Sequence, residues 1–191
     1  MAGMGTELRR RLIEAFRWTD PGPESDLLVS DVSGWWRDPE ILGALGPALA
    51  GPYRAARPTV VIAPESTGFL LGPLVAGALG VGFLAAYKHD AHRRIAEPTT
   101  WAWTEPDHRG RRLALGVRDR HLGPGDRALL VDDWVTSGAQ LRALHEIVAA
   151  RGASVVGASA VVADCPPATA RELRLTSLLT ADDLDDQASP A

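Results

Sequence analysis

The stretch ALLVDDWVTSGAQLRAL, residues 128–144, decides how the rest of the chain is read. Its first half is a short apolar run ending in two carboxylates, Asp132 and Asp133, the pattern of a buried parallel strand reaching the carboxyl edge of a sheet. Thr136, Ser137, Gly138, Ala139 and Gln140 follow, small and hydroxyl-rich, and apolar residues then recur at Leu141, Leu144, Ile147 and Val148 with helical spacing. The order is strand, tight loop, helix. Such a loop turns several backbone N–H groups and the positive end of a helix toward one phosphate, and Ser and Thr hydroxyls add side-chain donors. Carboxylates one step earlier accept hydrogen bonds from vicinal sugar hydroxyls, so a sugar phosphate fits both halves. The two acids are expected to stand exposed at the loop.

Other readings of the same residues exist. An apolar strand ending in Asp-Asp also suits the magnesium-holding strand of a P-loop ATPase, but the sequence has no GxxxxGK[ST] partner. Receiver-type phosphoacceptor pockets place acids at strand ends without a following hydroxyl and glycine loop. An ordinary strand-to-helix turn with solvated acids stays open on composition alone. The stretch resembles the phosphoribosyl pyrophosphate (PRPP) motif of type I phosphoribosyltransferases: an apolar strand, two acids, variable residues, then a Thr-Gly-Gly-Thr-like loop. Here Ala139 and Gln140 depart from that loop, adding a Cβ and replacing a hydroxyl.

At 191 residues the chain has the length of one domain with a substantial core. A net charge of −4 and the lack of a basic stripe argue against a nucleic-acid surface. Cationic charge is almost all Arg, and Lys88 is the one lysine. A single cysteine, Cys165, excludes an internal disulfide framework. The N-terminal residues lack the apolar core of a secretory signal, so a cytoplasmic location is expected. Gly68–Tyr87 approaches the roughly 20 apolar residues of a membrane span, but Pro73 and its glycines favour a buried helix followed by a buried strand.

Leu8, Leu12, Ile13 and Phe16 lie on one helical face of residues 6–17, Thr19–Ser25 reads as a loop, and Leu27–Val29 as a short strand. Asp38-Pro39-Glu40 is a helix start with cap and first-turn proline, and Pro47 is expected to kink or shorten that helix. Thr59–Ala63 is a central strand that delivers Glu65-Ser66-Thr67-Gly68 to the same sheet edge as the Asp pair, with a helix over Gly68–Gly80 and a strand over Val81–Tyr87. From His89 to Arg112 the periodicity stops. That length of structureless chain, with Trp101 and Trp103 in it, reads as a functional lid whose tryptophans are not simply solvated. Strands are expected at Leu113–Val117, Ser154–Ala163 and Leu175–Leu179, and the acidic tail at 181–191 is expected to fray.

Roughly residues 6–180 look similar to adenine phosphoribosyltransferases in four separated places: WRDPEILGAL (36–45), VVIAPESTGFLLGPLVAGALGVGF (60–83), PGDRALLVDD (124–133) and the PRPP motif. The resemblance implies an α/β fold with a parallel sheet, helices on both faces and a small N-terminal hood, all in one domain. It implies transfer of 5-phosphoribosyl from PRPP to adenine or a purine-like base with release of pyrophosphate, in a homodimer, with Mg²⁺ carried mainly on PRPP. By position, Thr136, Ser137, Gly138, Ala139 and Gln140 would bind the 5′-phosphate, and Asp132 and Asp133 the ribose hydroxyls. Glu65, Ser66, Thr67 and Gly68 would hold pyrophosphate, with Lys88 as counter-charge. Asp133 is also a candidate catalytic carboxylate. So are Asp107, aligned with the family's lid acid, and Glu105, reached by sliding that loop. The family stacks its base between an aromatic residue and a leucine, and these positions become Val29, flanked by Leu28 and Ser30, and Asp164. A carboxylate there motivates a second reading, transfer to an amine- or hydroxyl-bearing metabolite such as an aminocyclitol. A third is a non-catalytic effector binder on the same fold.

Overall fold

The computed structural model describes residues 2–22, 28–90, 97–106 and 111–185. Helix α1 (Ala2–Ala15) leads into strand β1 (Arg17–Thr19), which pairs antiparallel with β2 (Val29–Asp31). Helices α2 (Ser33–Arg37) and α3 (Pro39–Ala50) follow. The start of α3 lies where its sequence puts it: the Asp38 carboxylate accepts from the N–H groups of Glu40 and Ile41 at 2.8 and 3.3 Å. Pro47 does not end the helix, which runs on to Ala50 and tightens into a 3-10 turn over Gly51–Ala56. Buried Ile41, Leu45 and Leu49 hold it against the core despite the one N–H that proline removes.

Strand β3 (Val60–Pro64), helix α4 (Gly68–Leu79) and strand β4 (Gly82–Lys88) come next. The Gly68–Tyr87 segment is thus a helix and a strand, and among the described residues no helix is long and apolar enough to cross a membrane. The remaining elements are β5 (Thr99–Trp103), β6 (Ala114–Arg118), β7 (Arg127–Val135), α5 (Ala139–Ala150), β8 (Ser154–Ala163), α6 (Pro167–Glu172) and β9 (Leu175–Thr180).

The main sheet has the order β5-β6-β4-β3-β7-β8-β9. Strands β4, β3, β7, β8 and β9 are parallel, and β6 and β5 add an antiparallel wing. Side chains alternate across the sheet. Val61, Ala63, Leu129 and Val131 face a core shared with Leu12, Phe16, Trp35, Leu45 and Leu71. Ile62, Leu130 and Ala160 face Leu141, Leu144 and Ile147 of α5 on the other side. Helices therefore cover both faces, as expected.

Two expectations fail. The 89–112 stretch is not structureless: Thr99–Trp103 is a strand, with Thr100 paired to Val117 and Ala102 to Leu115. Thr and Trp favour a pleated half-buried surface, which outweighs the lack of a long apolar run. Its tryptophans lie on the outer side, Trp101 37% and Trp103 53% exposed, with Trp101 lying over Gly116. The start of the tail is docked, not frayed: Leu184 is fully buried, and Asp183 caps its own 3-10 turn through Thr180 and pairs with Arg9.

Candidate active site

Strands β3 and β7 are neighbours in parallel register, Val60 opposite Ala128 and Ile62 opposite Leu130, so the turns that follow them emerge at one edge of the sheet. The turn after β3 carries Glu65, Ser66, Thr67 and Gly68, with a cis peptide between Glu65 and Ser66. The Glu65 carboxylate accepts from the Lys88 N–H at 3.0 Å, and the Glu65 N–H donates to Ala86 O at 2.9 Å, which fastens this turn to the end of β4. A Cβ on Gly68 would stand 3.0 Å from Ala63 Cβ and 3.1 Å from Pro64 Cδ, so α4 approaches its strand closely here and a side chain would have to push its neighbours back by a few tenths of an ångström. The residues expected to handle pyrophosphate are together.

Strand β7 does not stop at the acids. It continues to Val135, pairing Trp134 with Val162 and Val135 with Ala163. Asp132 is consequently buried, 4% exposed, against the expectation of an exposed pair, while Asp133 is half-buried. Asp132 Oδ1 accepts from the Asp133 N–H at 3.0 Å. Burial and the neighbouring Asp133 charge push the Asp132 carboxyl well above the usual carboxylate range, with Lys88 opposing them. The lone lysine is thus close enough for its charge to act on Asp132.

The turn from Thr136 to Gln140 leads into α5. Gly138 has φ +76, and a Cβ there would stand 2.8 Å from Leu173 Cδ1 and 2.9 Å from Thr169 Cγ2. Glycine is therefore needed for both conformation and space. Ser137 Oγ accepts from the Ala139 N–H at 3.3 Å. A small cleft of about 60 Å³ is lined by Asp132 and by the turn from Trp134 to Leu141. A larger cavity of about 690 Å³ opens between Thr136, Ser137, Ala139 and Gln140 on one side and Thr104–Pro106 with Arg111–Leu113 on the other. Gln140 lines both, and its buried amide oxygen makes no hydrogen bond with the described residues.

The phosphoribosyl transferase domain model matches residues 40–176, a span that includes both turns and the acidic pair. The chain belongs to the phosphoribosyltransferase family. An adenine phosphoribosyltransferase of Nocardioides sp. is 36% identical over 137 residues, covering 70% of this chain and 71% of that protein. One from Myxococcus xanthus is 28% identical over 164 residues, 83% and 85% of the two chains. The fold is that of the adenine phosphoribosyltransferase structure from Rhodothermus marinus, with a TM-score of 0.77 and 23% identity over 92% of this chain and 99% of the other. The Trypanosoma brucei enzyme, in complex with AMP, pyrophosphate and ribose-5-phosphate, superposes with a TM-score of 0.80 at 20% identity, covering 96% and 84%.

Other expected site residues of this phosphoribosyltransferase lie further out. Leu28 and Val29 are exposed, 46% and 53%, on or beside β2, where Ser30 pairs with Trp18 of β1. Trp18 meets Trp134 edge-on at 6.1 Å, and Trp134 Nε1 donates to Asp164 Oδ2 at 3.2 Å. The N-terminal hairpin and Asp164 are thus joined through two indoles. Glu105 lines the large cavity with Thr136, Ser137, Ala139 and Gln140, while Asp107 falls outside the described residues.

The sequence reading passed over Trp18, Trp134 and Arg142. Arg142 Nε and Nη2 donate to the two Glu172 oxygens at 2.8 and 2.8 Å, holding that carboxyl below its usual range. Arg142 Nη1 donates to Ser137 O at 2.9 Å and stands 3.7 Å from Glu105 Oε2. A cation in the first turn of a helix opposes the helix dipole, and that misplacement was the available signal.

Proposed function

We propose that this phosphoribosyltransferase moves 5-phosphoribosyl from PRPP to a nucleobase, adenine or a purine-like heterocycle, and releases pyrophosphate. One observation carries the reading: the Glu65–Gly68 and Thr136–Gln140 turns follow the neighbouring parallel strands β3 and β7, with Asp132 and Asp133 on β7 just before the second turn and Lys88 at the end of β4 beside the first. Two such neighbouring turns can take the phosphate and the diphosphate of one pentose. The relatives named adenine phosphoribosyltransferase support the choice of base.

The N–H groups of the Thr136–Gln140 turn and the start of α5 receive the 5′-phosphate. Asp132 and Asp133 accept from the ribose hydroxyls and put negative charge beneath the sugar. Glu65–Gly68 and Lys88 hold the diphosphate. The bond between the anomeric carbon and pyrophosphate breaks as the acceptor nitrogen bonds to that carbon and gives up its proton, with Asp133 the candidate base; the carboxylates stabilise the positive charge that develops at the carbon. A lid over the site keeps water from that carbon. Two adjacent carboxylates are hard oxygen donors and fit Mg²⁺, held mostly through pyrophosphate and sugar oxygens. The ion would neutralise the leaving diphosphate. The N-terminal hairpin forms the hood over the acceptor, and Leu70 of α4, 52% exposed, with half-exposed β4 supplies an apolar face for a homodimer.

A second reading rests on Asp164, an exposed carboxylate at the end of β8 that Trp134 and Trp18 link to the hairpin carrying exposed Val29. It suits an acceptor with an amine or a positive charge. Incubating the protein with PRPP, Mg²⁺ and a panel of bases and aminocyclitols while following pyrophosphate separates the two. Release with adenine alone supports the first reading, and release only with an amine-bearing acceptor replaces it with the second. PRPP binding without release for any acceptor would make the chain an effector binder.

A further inference from the structure

We infer that Asp164, steadied by Trp134, is the specificity-determining residue that selects the acceptor by its amino group, an inference that rests on PRPP being the donor as proposed above and narrows the acceptor within that reading. Strands β3, β7 and β8 are neighbours in that order, so their ends present in a row the Glu65–Gly68 turn, the Thr136–Gln140 turn and Asp164. The Asp164 N–H donates to Val135 O at 2.8 Å, which fastens its backbone beside the residue just before the phosphate turn. Displacement at a carbon brings the incoming atom in opposite the bond that breaks, with the reacting atoms aligned. With the diphosphate on the turn after β3 and the pentose over β7, the acceptor approaches from the β8 side, and Asp164 stands there.

The Asp164 carboxylate is exposed, and one indole sets its direction: Trp134 Nε1 donates to Oδ2 at 3.2 Å. Trp134 lines the cleft of about 60 Å³ together with Asp132 and the phosphate turn, so this bond ties the carboxylate to the rim of the sugar site. The ring is itself packed, 5.9 Å from Phe16 and edge-on to Trp18 at 6.1 Å. Past Asp164 the chain runs through Cys165 into Pro166 and Pro167, whose fixed φ angles restrict its course. A carboxylate has about four lone-pair positions and the indole N–H takes one, which leaves Asp164 able to accept from a ligand. It accepts and does not donate. An acceptor with an amino group there gains a charge-assisted hydrogen bond, whereas a carbonyl oxygen in the same place sets two acceptors against each other. Selection then comes from repulsion of the wrong group as much as from attraction of the right one.

The test uses the full chain and the variants Asp164→Asn and Trp134→Phe, with PRPP titration on each preparation to show that the donor site is folded. Pyrophosphate release gives kcat/KM for adenine, which carries an amino group, for hypoxanthine, which carries a carbonyl in its place, and for purine, which carries neither. An aminocyclitol and the matching cyclitol form a second pair, amine against hydroxyl. The wild type should prefer the amino-bearing member of whichever pair it turns over. Asp164→Asn should cut that preference about tenfold, because the Asn amide donates to a carbonyl as readily as it accepts from an amine. Trp134→Phe should cut it severalfold, since the carboxylate stays but loses the donor that aims it. An unchanged preference in Asp164→Asn, with PRPP still bound, would overturn the inference. So would an equal loss on adenine and purine, which would make Asp164 a support of the fold and not a selector. A change in Asp164→Asn without one in Trp134→Phe would remove the positioning role of the indole. If the wild type binds PRPP and turns over no acceptor, the transfer reading fails before any variant is compared, and the selector falls with it.

Discussion

Trp134 Nε1 donates to Asp164 Oδ2 at 3.2 Å, so a side-chain bridge joins the strand that carries the acidic pair to the end of β8, where the acceptor is proposed to sit. The Trp134 ring also lies 6.1 Å from Trp18 and 5.9 Å from Phe16, which places the same bridge under the N-terminal hairpin. Trp134→Phe keeps a ring in that cluster and removes the donor. The carboxylate then loses its partner, at a cost of about 1 kcal/mol. The KM for the acceptor should rise severalfold while the KM for PRPP changes little, as read from initial rates with each substrate varied in turn.

Burial and the Asp133 charge raise the Asp132 carboxyl above its ordinary value of 3.8, so ionised Asp132 destabilises the folded chain. Below about pH 3.8 the group is protonated folded or unfolded and the penalty is absent; it grows as pH climbs toward the raised folded value. Asp132→Asn should therefore melt higher than wild type at pH 7, with the difference shrinking toward pH 4. On the proposed role of Asp132 at the ribose hydroxyls, the same variant should bind PRPP more weakly. Melting curves across that pH range and PRPP titration check the two halves separately.

Gly138→Ala should be costly in two ways. A methyl group at φ +76 is strained, and it would stand 2.8 Å from Leu173 Cδ1 and 2.9 Å from Thr169 Cγ2. A loss of about 1–3 kcal/mol is expected. PRPP affinity should fall by more than that stability loss predicts, since the turn's N–H groups would be displaced. Denaturant melts and PRPP binding on one preparation measure both.

The end of the chain supports the hairpin. Trp18 Nε1 donates to Leu184 O at 3.2 Å, Leu184 is fully buried, and Arg9 pairs with Asp183. Leu184→Ala should cost about 2–5 kcal/mol by opening a cavity under α1. Deleting residues 181–191 should also free the Trp18 indole and raise the KM for the acceptor. Thermal melting and near-ultraviolet circular dichroism of the tryptophans would show it.

The buried parallel strands were legible because a strand covered on both faces must be apolar at nearly every position, and Thr59–Ala63, Ala128–Val131 and Ser154–Ala163 are. The start of α3 was legible because Asp38 and Pro39 act locally. Strand β5 was not, because Thr99–Trp103 sits among arginines and prolines and its pleat makes sense only opposite β6. Strand β1 has three residues, and only its partner Val29–Asp31 identifies it. The two turns of the site could be read and their adjacency expected, since both follow apolar strands. The burial of Asp132 could not, because it depends on pairing between β7 and β8 beyond the acids. The Arg142 clasp joins residues 5, 30 and 37 positions apart in the sequence, a distance at which side-chain chemistry leaves no local pattern.

The antiparallel wing of β6 and β5 is laddered to the parallel sheet at Tyr87 and Lys88, with the His89 N–H reaching Ala114 O just beyond. The fastening point of the wing and the lone lysine are therefore the same short piece of chain. A protein trimmed to its parallel strands would therefore lose one of the two neighbours, β6 and the Glu65 turn, that hold the backbone at Lys88.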